Sequence, residues 1–236
     1  MYETLHVDNT ANQMPEQWTQ MLAGFGVGWS EVLVGYPFWT CKTLVQNQEF
    51  RPRTLTLRRL YRGVRYPCVS SVAFNTVAFP CKEYLHNAHR MSYWTAGALA
   101  GLVVTPQTFV MDTFTIRSQV GQKVRTHLHA LRGARGLGMT AVRESSALSV
   151  YFGVYHALRD RNVHVAAAGA TAGALNWALT LPFDTLRTRQ IAQRCHLRAA
   201  LAQGHLWAGF RFALARAMIV NACSFTVYET ACTYFG

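Results

Sequence analysis

The sequence predicts an all-α membrane protein of six transmembrane helices, arranged as three tandem two-helix repeats with pseudo-threefold symmetry around a central cavity. Three observations predict it: landmarks that recur in register three times, basic residues confined to alternate connections, and a composition half apolar with only 14% charged residues. The apolar stretches are interrupted by polar residues, as expected of helices lining a water-filled cavity.

The repeat is about 73 residues long. Gly24/Gly28, Gly97/Gly101 and Gly169/Gly173 have the small-xxx-small spacing that lets transmembrane helix backbones approach closely. Nine residues after each second glycine stand Pro37, Val110 and Pro182; further on come Gly63, Gly136 and Gly209, then Phe79, Phe152 and Phe225. One such match means little, but four landmarks in register through three copies divide the chain. A polar segment 1–16 precedes repeats at 17–90, 91–162 and 163–236, together one structural domain.

Helices are predicted near 17–46, 64–86, 92–119, 137–158, 163–190 and 210–234. Pro37 and Pro182 fall inside the first and fifth, where a missing N–H kinks a helix. Asn75 and Asn221, each four before a landmark Phe, read as interhelical hydrogen bonders. All Lys and Arg except Lys82, Arg90, Arg159 and Arg161 lie in windows 42–65, 117–143 and 187–216, which the positive-inside rule assigns to the inner side.

The net charge of +12 is therefore topological, and without base-reading motifs it does not indicate a nucleic-acid partner. The six cysteines have no paired spacing and read as small buried side chains. His127-x-His129 and Cys195-His196 lack a further ligand at metal spacing, so no metal site is expected. With no phosphate loop, nucleophile elbow or carboxylate pair, no catalytic residue is assigned and no enzyme is expected. The acidic start lacks a signal's basic flank and apolar run, so no cleavable presequence is expected.

Pro182-Phe183-Asp184-Thr185-Leu186-Arg187 resembles the signature of the mitochondrial carrier family of inner-membrane solute transporters, Pro-x-acid-x-x-base. Pro37-Phe38-Trp39-Thr40-Cys41-Lys42 resembles it with Trp39 at the acidic place, and Val110-Met111-Asp112-Thr113-Phe114-Thr115 keeps only the acid. Tyr61-Arg62-Gly63, Ala134-Arg135-Gly136 and Trp207-Ala208-Gly209 resemble its later aromatic-base-Gly half. The resemblance covers nearly all of the chain after residue 16 and implies a multi-pass protein of the mitochondrial inner membrane, basic connections facing the matrix.

In that family the base of one repeat pairs with the acid of the next to close the cavity on the matrix side. Carried over, Lys42 pairs with Asp112, while Thr115 leaves Asp184 and Trp39 leaves Arg187 without an ionic partner. A cation–π contact between Trp39 and Arg187 is the expected substitute. At the opposite mouth the resemblance implies pairs between Glu83 and Arg159 and between Glu229 and His86. The short odd-to-even connections leave little room for the family's surface helix.

Nine residues before each landmark Phe stand Ser70, Arg143 and Arg216, matching the family's substrate contact points. Arg143-Glu144 resembles carriers of amino acids and carnitine-type solutes: an arginine takes a carboxylate, and Glu144 faces an ammonium or guanidinium. Alternatively the two neutralise each other as a static polar plug. Arg62 and Gly63, Arg135 and Gly136, and Gly209 near Arg211 offer N–H groups and charge to an anionic head group, by resemblance cardiolipin; no other cofactor is implied. The expected function is alternating-access transport of a small carboxylate-bearing solute. The alternative is a carrier-derived accessory subunit of a larger inner-membrane respiratory or ATP-synthase complex.

Overall fold

The structure is a computed structural model describing residues 32–122, 131 and 133–220. Among those residues it is helical with turns and contains no strand. The helices are α1 (residues 32–46), α2 (Leu57–Leu60), α3 (Arg65–His89), α4 (Tyr93–Gln119), α5 (Leu137–Arg159), α6 (Val165–Gln193), α7 (Leu197–Ala202) and α8 (residues 210–220). The segments predicted at 17–31 and 221–234 lie outside the described residues, as do Gly24, Gly28, Asn221, Phe225, Glu229 and the side chains of Asn75 and Phe79.

Local chemistry sets the boundaries. Ser92 accepts a hydrogen bond from the Thr95 N–H and starts α4, while Arg90 in the left-handed region ends α3. Gly136, at φ 96°, is the residue before α5, a backbone conformation that other side chains rarely adopt. Pro37 and Pro182 lie inside helices as expected, and so do Pro80 and Pro106. Pro106 sits four residues before Val110, so the helix lacking the signature proline carries another one turn earlier.

Only residues 90–92 separate α3 from α4, and 160–164 separate α5 from α6. The short links make each pair an antiparallel hairpin, and α4 also packs along α5. That contact explains one glycine pair: a Cβ on Gly97 would stand 2.6 Å from the Leu148 carbonyl oxygen, and one on Gly101 2.5 Å from that of Glu144. Only a bare Cα allows backbones so close. The first and last described helices are also neighbours, since Gly35 makes room for Arg216 and Val220, and Phe50 packs on Phe212.

Three further glycines contact the helices in cyclic order. Gly63 abuts Ser118 at the end of α4, Gly136 abuts Ile191 at the end of α6, and Gly209 abuts Lys42 in α1. The three turns thus pack on α4, α6 and α1 respectively. Two connections hold short helices, a correction to the expectation that their length leaves little room. Thr56 caps the single turn of α2, and Arg189 reaches the carbonyl of Ala200 in α7.

Polarity is arranged opposite to that of a water-soluble bundle. Lys42, Asp112, Glu144, Asp184, Arg187 and Arg189 are buried, whereas Leu102, Val103, Leu179 and Met218 are exposed. Hydroxyls inside the helices fold back on their own carbonyls: Thr105 donates to Gly101, Thr113 to Phe109 and Thr140 to Gly136. Tyr93–Gln119 is the one described helix long and apolar enough to cross a membrane on its own.

Candidate functional site

The C-terminal halves of α1, α4 and α6 converge, and their inward side chains carry the charge. Asp184 and Arg187, one turn apart on α6, bond to each other at 2.8 Å. Asp184 also accepts from Lys42 Nζ of α1 at 2.7 Å and Gln46 Nε2 at 3.0 Å. Arg187 Nη1 donates to Asp112 of α4 at 2.6 Å and to Glu144 of α5 at 3.2 Å. Arg143 donates to Glu144 at 2.6 Å, and its Nε lies 3.8 Å from Asp184. Three acids and three bases from four helices thus form one continuous network. In so dry a place each charge is tolerable only because it is paired.

Below the network, two arginines tie helix ends together. Arg117 of α4 donates to the Ile191 carbonyl of α6, and Arg189 of α6 donates to the Gln46 carbonyl of α1. The acceptors lie at the last turns of α6 and α1, where carbonyls lack intrahelical partners and a cation complements the helix dipole. Arg189, fully buried, also reaches the carbonyls of Ala200 at 3.0 Å and Gly204 at 2.7 Å. Gln119 donates to Thr40, joining α4 to α1.

On the other side of the network lies a cavity of about 200 Å³. Phe38, Trp39 and Lys42 come from α1, Arg143 from α5, Trp177, Asp184 and Arg187 from α6, and Phe212, Ala213 and Arg216 from α8. Four cationic side chains and one carboxylate face a space between two indoles. Lys42 Nζ lies 4.8 Å from the Trp177 ring and the Arg143 guanidinium 5.9 Å from it, while Arg216 sits 5.9 Å from Trp39. Such a wall suits a small solute with a carboxylate and some apolar surface. Among the described residues no group of His, Cys, Asp and Glu has metal-binding geometry, and Cys41, Cys68, Cys81 and Cys195 are free thiols.

A family model described as mitochondrial carrier protein matches residues 159–236, which include Asp184, Arg187 and Arg216. The chain is also similar to the mitochondrial arginine transporter BAC2 of Arabidopsis thaliana, at 25% identity over 88% of each chain. It is 27% identical to the glutamate/glycine mitochondrial carrier ymc1 of Schizosaccharomyces pombe over 89% of this chain and 92% of that one. It is 28% identical to the human mitochondrial basic amino acids transporter, over 90% and 89%. Along most of its length the chain is thus similar to mitochondrial carriers. These relatives are transporters, not enzymes.

In the structure the charges pair in the opposite order to that expected. Lys42 does not take Asp112; it takes Asp184, and Asp112 takes Arg187. Asp184 and Arg187 are therefore not left without ionic partners. Trp39 stands under Arg216 rather than Arg187. Thr115, at the place of a base, donates to the Met111 carbonyl of its own helix. Ser70 is half-buried on α3 and does not line the cavity; its carbonyl accepts from Gln107. Glu144 is buried within the network rather than at the cavity wall.

The opposite end of the bundle also departs from expectation. Glu83 pairs with the adjacent Lys82, not Arg159, whose Nη1 donates to the Val163 carbonyl. His86, its Nδ1 2.7 Å from the Met91 carbonyl oxygen, stacks on Tyr93, which stacks on His156 with centroids 3.4 Å apart. At the basic connections, the Arg62 carbonyl accepts from Tyr36, and Arg135 donates to the Arg194 carbonyl. Sequence reasoning passed over Gln46, Arg117, Trp177 and Arg189. Arg117 and Arg189 did carry a signal, each standing two residues after the place of the signature base.

Proposed function

We propose that the chain is an inner-membrane solute carrier that moves a small carboxylate-bearing solute, amino-acid-like or carnitine-like, by alternating access. The carrying observation is the cavity, where Arg216 stands over the indole of Trp39 and Trp177 lines the same space, directly above a closed charge network. A carboxylate entering from the open side takes Arg216, and an apolar body lies against the indoles. Its charge competes for Lys42 and Arg187 and loosens the network, coupling binding to opening.

In this reading the repeats 17–90, 91–162 and 163–236 are three hairpins about a pseudo-threefold axis, an arrangement supported by the cyclic glycine contacts at Gly63, Gly136 and Gly209. The basic connections face the matrix, and the turns bearing Arg62, Arg135 and these glycines are the places for cardiolipin head groups. Amino-acid transport by the named relatives supports the solute class. None of the named relatives is described as an accessory subunit, which leaves that alternative without support.

The test is uptake into proteoliposomes of radiolabelled arginine, ornithine, glutamate and carnitine. Arg216→Ala is expected to lower uptake of the accepted solute about tenfold to a hundredfold, the worth of one charge-assisted contact. No uptake of any of the four by the wild-type chain sinks the proposal.

A further inference from the structure

The repeats themselves define a ring of six positions: 39, 112 and 184 in one set, and 42, 115 and 187 in the other. Two bonds of the ring are formed, from Lys42 of the first repeat to Asp184 of the third and from Arg187 of the third to Asp112 of the second. Continued in the same order, the last bond joins position 115 of the second repeat to position 39 of the first. Those two places hold Thr115 and Trp39. Both departures from the charged pattern therefore fall in one bond, which has lost acid and base together. No charge of the ring is orphaned by the exchange.

Arg143 and Glu144 supply what that bond lacks. They stand side by side on α5, outside the ring, yet bond to each other at 2.6 Å and reach into it. Glu144 lies 3.2 Å from Arg187, and Arg143 lies 3.8 Å from Asp184. Glu144 is 1% exposed, shut off from any solute by the network it belongs to. We propose that the Arg143–Glu144 pair is the third latch of the closed ring, replacing the missing bond between positions 115 and 39. It holds the closed state and does not bind the solute. Arg143 and Glu144 are thus positioning residues of the carrier cycle, and as a transport device the latch rests on the carrier reading above.

A stability arm and a transport arm test this on the full-length chain in detergent and in proteoliposomes. Arg143→Gln with Glu144→Gln is expected to lower Tm by roughly 5 °C, since it strips partners from two buried charges. Installing Trp39→Glu with Thr115→Lys in that background is expected to recover at least half of the loss, while the same two changes in the wild type raise Tm less. Arg143→Lys with Glu144→Asp keeps both charges and is expected to stay within about 2 °C of wild type. An unchanged Tm on neutralisation, equal effects of the Trp39 and Thr115 changes in both backgrounds, or a charge-keeping variant as unstable as the neutral one overturns the proposal. Glu144→Gln alone is expected to lower Tm while the KM of uptake stays within about threefold of wild type; a KM raised roughly tenfold or more means direct solute contact and overturns it. If the wild type takes up no solute, the carrier reading falls, and the Tm arm alone still decides whether this pair latches the ring.

Discussion

Asp184 accepts from Lys42, Gln46 and Arg187 while shut away from solvent. Asp184→Asn removes one charge and leaves three cations, Lys42, Arg143 and Arg187, facing a neutral amide. The expected cost is about 3–5 kcal/mol, read as a fall in Tm of roughly 10 °C. Glu83→Gln provides the contrast, because the Glu83 side chain is 53% exposed and its bond to Lys82 competes with solvent. That change is expected to cost under about 1 kcal/mol. Equal losses from the two substitutions, measured by thermal unfolding in one detergent, would contradict the description of the network as dry and interlocked.

Between helices the decisive quantity is backbone separation. Gly101→Ala drives a methyl group to within 2.5 Å of the Glu144 carbonyl oxygen and must push α4 from α5. A loss of about 1–3 kcal/mol is expected. Gly138→Ala, in the first turn of α5, meets nothing within 4 Å and is expected to stabilise by about 0.5–1 kcal/mol. Helix extents were largely legible in the sequence: the expected 92–119 and 137–158 became Tyr93–Gln119 and Leu137–Arg159. Ser92, the glycines and the run of apolar residues between polar links are local signals. The short helix α7 was not legible because Arg189 from another element holds it, and α2 was not because a lone Thr56 cap before a single turn is too weak a local signal.

At the scale of the molecule, charges are buried while Leu102, Val103, Leu179 and Met218 are exposed, and the proposed membrane-spanning fold predicts that the chain stays in the membrane pellet after alkaline extraction. Release into the supernatant would count against a spanning fold. The candidate site was legible in its membership but not in its wiring. Register along the repeats fixes depth, so Lys42, Asp112, Asp184 and Arg187 were all placed at one level. It does not fix which neighbour lies clockwise; the order Lys42 to Asp112 came from the family resemblance alone, and the structure pairs Lys42 with Asp184 instead. The role of Trp177 was hidden similarly: one aromatic residue in an apolar helix acquires meaning only when Lys42 and Arg143 close over it.

That indole also makes the protein its own spectroscopic probe. Held against two cations in the closed ring, Trp177 has an emission colour and intensity set by their charge. When the latch parts, the ammonium and guanidinium leave, so the light from one ring follows the opening in real time. In a variant retaining Trp177 as the sole tryptophan, addition of the solute is expected to change its emission, and Glu144→Gln is expected to produce part of that change without solute. Motion that otherwise requires a radiolabel on each side of a membrane would then be visible in a cuvette.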